Sequence, residues 1–252
     1  MNYKKVCLLL CVLILQGYLS ASAYHPLITD DSGTIGKQHV QLELAIEYAH
    51  DKAERITARE TQLSTTVSYG LTDSVDIICA IPYLFIKETD EESVDGLSDI
   101  SIEMKINCGT INNILNFAIK PGITIPSGDE EEELGTGKIT GSFSMIIDTE
   151  FKNTSFYFNV GYIRNENEIG ERKNLWNVSM AGEYRMIDTL KVVLNAGIEE
   201  NPEKDSSEEP CFLLGGIVYS ASETLDLDIG LKAGLNSAET DYTLLIGTTF
   251  TF

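Results

Sequence analysis

This chain has few residues that could carry out acid–base or nucleophilic catalysis. Its three histidines are His25, His39 and His50. A Ser–His hydrolase needs a histidine, a serine and an orienting polar group in contact. His50 stands at the end of a strongly alternating segment, a suitable place for such a site, but no serine can be matched to it by spacing. The sequence therefore predicts a protein that is not an enzyme, with no catalytic residue, no cofactor and no bound metal.

A second kind of chemistry, the selection of solutes by charge, has many candidates. Acidic and basic side chains recur on the polar side of alternating segments, where every second side chain shares one face. If the segments close into one sheet, these side chains line its interior, where opposite charges can also pair with each other. The candidate lumen-lining residues are Glu43, Glu47, Glu103, Lys105, Lys120, Asp148, Glu183, Arg185, Lys191, Asp226, Asp228 and Lys232, with Asn177 and Asn195 on the same faces.

The segments that carry these residues are predicted to be β-strands. The first is the clearest, with Leu42, Leu44 and Ile46 on one side and polar residues on the other. About twelve such segments occur, each of about ten residues, the length that a tilted strand needs to cross a membrane. Pro121 falls inside one of them and predicts a bulge or kink, because proline cannot donate a ladder hydrogen bond.

The connections between the predicted strands alternate in length. Short ones, such as Leu71–Ser74 and Met186–Thr189, separate long ones, such as His50–Glu60 and Lys87–Ser98. Outer-membrane barrels have short turns at one end and long loops at the other. The sequence therefore predicts an all-β fold, a transmembrane antiparallel up-and-down β-barrel of about twelve strands.

The chain begins with a segment that we expect to be removed. Two lysines precede an apolar run, Val6–Leu15, and an A-x-A cleavage site ends at Ala23, the pattern of a secretory signal peptide. We therefore expect a cleaved signal peptide at 1–23, an irregular N-terminal segment at 24–37 and an outer-membrane β-barrel at 38–252. The irregular segment could lie in the periplasm or fold into the barrel lumen.

The mature chain would be strongly acidic, with 16 basic against 39 acidic residues and a net charge of about −23. This balance argues against nucleic acid as a partner. Much of the charge falls in predicted loops, at Glu88–Asp95, Gly128–Glu133 and Glu199–Asp205. These runs lack the fixed Asp, Asn and Gly spacing of a calcium loop, so we interpret them as solvated loops.

Three cysteines, Cys79, Cys108 and Cys211, follow the signal peptide. Cys79 and Cys108 could meet across a hairpin and form a disulfide. They could equally be small apolar side chains that face lipid. The sequence leaves both alternatives open.

Several segments resemble the outer-membrane transporter family named for the MetA pathway of phenol degradation. They are His25–Lys37, Lys120–Asp129 with Leu134–Lys138, Gly161–Glu166 and Glu239–Leu245. The resemblance covers nearly the whole chain after the signal peptide. It implies a β-barrel that passes small compounds, aromatic or hydrophobic ones among them, across the outer membrane, and no catalytic residues carry over.

The last strand resembles the C-terminal signal that the barrel-assembly machinery reads. Gly247, Phe250 and Phe252 match that pattern, whereas Leu245 stands where a polar residue is expected. The resemblance implies that the assembly machinery is a partner of this chain.

Together these features predict an outer-membrane channel or transporter for the passive passage of small solutes in a Gram-negative-type bacterium. The expected partners are outer-membrane lipid, the barrel-assembly machinery and a small-molecule solute, and the oligomeric state is left open. The main alternative is a non-transporting barrel with a structural or surface-interaction role, whose lumen is closed by salt bridges and by the N-terminal segment. A barrel hydrolase is the less favoured alternative.

Overall fold

The computed structural model describes residues 25–53 and 56–252, so the signal peptide expected at 1–23 lies outside the described residues. Within this part of the chain, thirteen strands form one antiparallel sheet. They are β1 (Val40–Ala53), β2 (Ile56–Thr72), β3 (Val75–Glu88), β4 (Val94–Leu97), β5 (Ile100–Ile111), β6 (Leu115–Ile125), β7 (Thr140–Phe151), β8 (Thr154–Arg164), β9 (Asn174–Ile187), β10 (Leu190–Glu199), β11 (Cys211–Ser222), β12 (Leu225–Gly234) and β13 (Tyr242–Thr251).

The sheet closes on itself because its first and last strands pair. β1 is hydrogen-bonded to β13, with Ile46 opposite Ile246, and to β2 on its other side. β3 pairs with β2, with β5 along its first half and with the four-residue β4 along its second half. Closure leaves no long sheet edge unpaired. The predicted antiparallel up-and-down barrel is confirmed, with twelve long strands and the short β4 in addition.

The two ends of the barrel differ in the length of their connections. At one end, which we call the turn end, the connections are 73–74, 112–114, 152–153, 188–189 and 223–224, and Val40 meets Phe252 there. At the other end, the loop end, the connections 126–139, 165–173, 200–210 and 235–241 are longer. The predicted alternation of short and long connections is confirmed for these four loops and the five turns.

Two predicted long loops differ from the structure. The sequence predicts a long connection from His50 to Glu60, yet β1 and β2 stay paired as far as Ala53 and Ile56. The polar residues there do not alternate with apolar ones, because this part of the hairpin extends beyond the apolar band of the barrel. The expected loop Lys87–Ser98 likewise contains β4, which pairs with β3.

Pro121 changes the ladder without a bulge of its own. The β5–β6 pairs on either side of it, Glu103–Gly122 and Ile106–Ile119, keep one register, and Pro121 has no partner on β5. Proline has no N–H to donate, so the ladder is interrupted there. The register shift of this strand pair lies instead between Asn107 and Gly109.

The outward face of the barrel is apolar and the inward face is largely polar. Leu44, Ile46, Phe143 and Leu194 point outward and are 40–60% exposed. An apolar outer band over a polar interior is the arrangement of outer-membrane barrels. None of the described residues forms a helix long and apolar enough to cross a membrane.

Candidate functional site

The irregular N-terminal segment lies inside the barrel, which decides between the two places left open by the sequence. It enters at the turn end, where the Gln38 amide donates to the Gly70 carbonyl at 2.8 Å and the Thr34 hydroxyl donates to the Asp73 carbonyl at 2.9 Å. The Ile35 amide donates to an Asp76 carboxylate oxygen at 3.0 Å. Residues 25–37, which we call the lumenal segment, therefore form a plug on the turn side of the lumen.

Leu27 is the apolar anchor of the lumenal segment. It is 2% exposed and packs, together with Ile28 of its own segment, in a cluster of inward-facing residues from five strands of the barrel wall: Tyr157, Ala181, Val193, Phe212, Leu214, Val218 and Leu245. Pro26 lies against Gly216 and Gly230, where a Cβ would come within 3 Å of the proline ring. These glycines therefore let the segment approach the wall closely.

Asn195 of β10 satisfies backbone groups of the lumenal segment. Its carbonyl oxygen accepts from the Ile28 amide at 2.7 Å and the Thr29 amide at 3.0 Å, and its amide group donates to the Thr29 hydroxyl at 2.7 Å. Asn195 is 1% exposed. Buried backbone N–H groups need such partners, so this side chain replaces the ladder that the irregular segment lacks.

Asp30 is the centre of a buried ion cluster that joins the lumenal segment to the wall. Its two carboxylate oxygens accept from Lys105 Nζ at 2.7 Å and from Lys120 Nζ at 2.9 Å. Lys120 also lies 3.6 Å from Glu103, and Lys105 lies 3.8 Å from Asp31. Both lysine side chains are 2% exposed. Breaking such a pair would leave uncompensated buried charge, so the cluster fixes the segment in place.

Two further predicted lumen residues bind the same segment. One Asp148 carboxylate oxygen accepts from the Ser32 amide at 2.7 Å, and the other accepts from Asn116 at 2.8 Å. Asp228 contacts His25 Nδ1. Of the twelve predicted charged residues, Lys105, Lys120, Asp148 and Asp228 thus contact the lumenal segment directly.

The other predicted lumen residues pair within the wall or with a loop. Glu183 lies 3.3 Å from Lys191, and Lys232 lies 3.0 Å from Glu239 in the loop 235–241. Glu43 accepts from Gln41 at 2.8 Å. Glu47 and Asp226 share the inward faces of β1 and β12 and are half-buried.

Arg185, expected among the lumen-lining residues, lies at the edge of the barrel. Its side chain is 45% exposed and lies 3.9 Å from Glu150, which is also exposed. Arg185 is near the turn end of β9, where the register with β10 shifts between Leu190 and Lys191. It belongs to the rim of the barrel.

A cavity of about 90 Å³ lies on the loop side of the lumen, lined by β5 to β10 and their loops. It is large enough for several waters or a small solute. The polar lining residues include Ser101, Glu103, Thr124, Asn165, Glu171, Asn177 and Glu199, and the apolar ones include Ile163, Leu175 and Pro202. The lumenal segment thus fills the turn side of the lumen, and this cavity lies on the loop side.

Two side chains hold the loops that surround this cavity. Asp99 accepts from the amides of Ser127, Gly128 and Thr136 and from the Thr136 hydroxyl, at 2.7 to 3.1 Å. Arg172 donates to Glu200 at 2.7 Å and to backbone carbonyls of the loop 200–210. The mouth of the barrel is therefore shaped by fixed hydrogen bonds.

Glu171, in the loop 165–173, has an unusual environment for a carboxyl group. Burial raises its pKa to about 7, and Glu133 adds to this shift, whereas the hydrogen bond from Asn165 and the charge of Lys204 lower it. Burial disfavours the charged form of a carboxyl. Near neutral pH this group is therefore poised to gain or lose a proton.

The remaining candidate residues are His50 and the three cysteines. His50 stacks on Tyr242, with ring centroids 5.0 Å apart. Cys79, Cys108 and Cys211 are free thiols, so the alternative of a Cys79–Cys108 disulfide is wrong.

The predicted assembly-signal residues lie at the end of the barrel wall. Phe250 and Phe252 stack at 6.4 Å. Gly247 lies where a Cβ would collide with His25 and Asp228. The structure thus gives Gly247 a packing role that the sequence pattern did not indicate.

Several solved structures share this fold, among them an outer-membrane channel, a porin and a transporter by their titles. An outer membrane channel from Pseudomonas putida F1 shares 10% identity at a TM-score of 0.69, covering 88% of this chain and 98% of that chain. The KdgM porin shares 5% identity at 0.58, covering 84% and 99%. The Ralstonia pickettii toluene transporter TbuX shares 9% identity at 0.51, covering 86% and 89%.

The sequence comparisons identify the family. A search of curated proteins finds no match. The family model described as "Putative MetA-pathway of phenol degradation" matches residues 26–252, which include the lumenal segment from Pro26 onward and the whole barrel. This chain therefore belongs to the family named for the MetA pathway of phenol degradation.

Proposed function

We propose that this chain is an outer-membrane channel for small solutes, in which the lumenal segment closes the turn side of the lumen and shifts to let solutes pass. The turn end then faces the periplasm and the loop end faces the cell exterior. The proposed solutes are small compounds, aromatic or hydrophobic ones among them, since TbuX, a toluene transporter by its title, has the same fold.

The proposal rests on the identity of the segment that fills the turn side of the lumen. Residues 25–37, which follow the expected cleavage site of the signal peptide, fill the turn side of the lumen and are held through side chains such as Asp30 and Leu27. A terminal segment can leave the lumen without breaking a ladder between wall strands. The plug is thus separable from the barrel that contains it.

Conductance in planar bilayers tests the proposal. The mature protein should show small, brief openings, and a variant lacking residues 25–35 should show a larger and steady conductance. A barrel of about twelve strands has a wider bore than one of about eight strands, which side chains fill, and a narrower bore than a porin of about sixteen strands. A heat-modifiable gel shift verifies that both proteins are folded. If neither protein conducts nor takes up solutes in liposomes, the transport function is refuted.

A non-transporting barrel is the second candidate function, and the tight fixation of the plug favours it. Asp30, Asn195 and Leu27 are each at most 2% exposed and hold the segment by charge, hydrogen bonds and packing. Under this function the truncated variant conducts, while the full-length protein shows no solute uptake under any condition. Solute uptake by the full-length protein in liposome swelling separates the two candidates.

We infer that the chain has no enzymatic activity. In support, the His50 ring stacks on Tyr242 at the outer face of the hairpin, an arrangement that fits an amphipathic interfacial side chain. An esterase assay of the folded protein and of a His50→Ala variant tests this inference. Activity that disappears in the variant would contradict it.

We also infer that the barrel-assembly machinery is a partner, from the Gly247, Phe250 and Phe252 pattern in β13. In support, β13 closes the barrel against β1 and its last residues lie at the turn end. The test is the amount of folded protein in the membrane after Phe252 is deleted.

A further inference from the structure

Two basic side chains stand directly opposite each other on the outer face of the barrel, near its loop end. Arg59 of β2 is paired with Lys87 of β3, and both side chains are exposed. Their chain neighbours Glu60 and Ile86 are buried, so the two cations face outward. Directly opposite residues have Cβ atoms about 5 Å apart, and like charges in such a pair repel. The arrangement therefore costs stability unless an anion lies beside both cations.

The protein itself does not supply this anion. Within the described ranges, neither Arg59 nor Lys87 forms an ion pair, and Lys87 Nζ donates to the Glu91 carbonyl at 3.0 Å. Asp95 lies on the neighbouring β4, where its carboxylate accepts from the Tyr83 hydroxyl at 2.6 Å. The two positive charges are thus left without a counter-charge from the wall or the adjacent loop.

Other basic side chains at the loop end are neutralised by the protein. Arg164 lies 2.6 Å and Lys173 lies 2.7 Å from Glu166. Lys138 lies 3.2 Å from Glu168. The chain has 39 acidic residues against 18 basic ones, so carboxylates to pair with cations are abundant. An adjacent pair of cations without one indicates a partner outside the protein.

The outward side chains next to the pair show what kind of molecule meets it. Tyr48 of β1 and Phe85 of β3 occupy the next outward positions toward the turn end, and Leu63 of β2 lies one position further. Aromatic side chains at the edge of an apolar band mark the membrane interface of a barrel. Arg59 and Lys87 therefore lie at the height of lipid head groups, directly above a surface that contacts acyl chains.

We propose that Arg59 and Lys87 bind a phosphate group of an outer-leaflet lipid, whose acyl chains lie along the wall beside Phe85 and Leu63. A guanidinium group binds phosphate through two parallel hydrogen bonds, and a lysine adds a compact charge. Phosphate between the cations also removes their repulsion. The leaflet follows from the orientation proposed above, with the loop end at the cell exterior. The site goes beyond the channel function and does not require that the protein conducts.

Native mass spectrometry of the folded protein, released from detergent micelles, tests the proposal with three probes. Bisphosphorylated lipid A is the anionic lipid, the same lipid without its phosphates is the neutral analogue, and inorganic phosphate is the free anion. We expect lipid A to bind about tenfold more tightly than its dephosphorylated form, a difference of about 1.4 kcal/mol. Inorganic phosphate at the same concentration should not displace lipid A, because it lacks acyl chains.

Two results of this titration would overturn the proposal. Equal affinity for the two lipids would show that the phosphates are not recognised. Displacement of lipid A by an equal concentration of inorganic phosphate would assign the two cations to a soluble anion and not to a lipid.

A matched pair of double variants locates the site. Arg59→Gln with Lys87→Gln should weaken binding of lipid A about tenfold and leave the dephosphorylated lipid unaffected. Arg164→Gln with Lys173→Gln removes the same charge from the loop end, but these cations already pair with Glu166, so binding should change little. Equal losses in the two double variants would attribute binding to overall charge and refute the site. A heat-modifiable gel shift verifies folding of each protein.

Thermal unfolding gives a second measurement that does not depend on mass spectrometry. Lipid A should raise the unfolding temperature of the wild type, because a ligand that binds the folded state stabilises it. The rise should be smaller in the Arg59→Gln/Lys87→Gln variant, and an equal rise in both proteins would refute the site. Conductance of the same proteins separates this proposal from the channel function, since lipid binding by a protein that never conducts leaves the site standing.

Discussion

Replacement of Asp30 by alanine should release the lumenal segment, because this carboxylate is the shared partner of two buried lysines. Asp30 is 1% exposed and accepts from Lys105 at 2.7 Å and from Lys120 at 2.9 Å. In the Asp30→Ala variant both lysines remain in the wall and lose their nearest counter-charge. The unpaired charges then favour entry of water at the position that the segment now fills.

The size of the effect follows from the partners that remain. Breaking a buried ion pair by removing one member destabilises by about 3–5 kcal/mol. Lys120 keeps Glu103 at 3.6 Å and Lys105 keeps Asp31 at 3.8 Å, so we expect the lower value, about 3 kcal/mol. Since about 1.4 kcal/mol is a factor of ten, the ratio of displaced to docked segment should rise on the order of 100-fold.

Single-channel recording in planar bilayers measures this ratio as the fraction of time spent in the higher-conductance state. Asp31→Asn is the matched control, because Asp31 is adjacent, 3.8 Å from Lys105 and more exposed, and it should change the open fraction little. An open fraction of Asp30→Ala equal to that of the wild type or of the control would refute the role of the ion cluster as the lock of the plug.

Three further predictions follow from other parts of the structure. Gly70→Val should also raise conductance, because a Cβ there collides with a backbone oxygen of the lumenal segment, whereas Gly141→Val has open space and should behave as the wild type does. Deleting Phe252 should lower the amount of folded protein in the membrane more than it lowers conductance per folded molecule, and unchanged membrane levels would count against the assembly role. The free energy of unfolding should fall as the pH rises from about 5 to about 7, because Glu171, whose pKa is raised to about 7 by burial, keeps in the folded state a proton that the unfolded chain releases. Glu171→Gln should remove part of this dependence in urea-unfolding curves, and an unchanged slope in the variant would assign it to another group.

The strand pattern was predictable wherever one face of the sheet meets lipid. Leu44 and Ile46 had to share a face with one another and not with Glu43, because side chains alternate along a strand. The same reasoning placed Lys105, Lys120 and Asn195 inside the barrel. It failed for the part of β2 near Ile56, where the hairpin extends beyond the apolar band and polar residues occupy both faces.

The candidate site was predictable only in part. The sequence indicated that Glu103 faces the interior, since it lies on the polar side of β5. It gave no indication that Glu171 would be buried, because this residue belongs to an acidic loop without periodicity. Its burial depends on contacts with Asn165 and on loops held by Arg172, and such contacts between distant residues leave no local pattern.

The sequence by itself determined the barrel, its closing strand and the set of charges inside, because a period of two fixes which side chains meet lipid and which do not. Only the tertiary structure decided what those charges do. The segment 25–37 has no periodicity, so its place in the lumen follows from the partners that it finds there, Lys105 and Lys120 for Asp30 and an apolar cluster for Leu27. These partners are far apart in sequence and become neighbours only when the sheet closes.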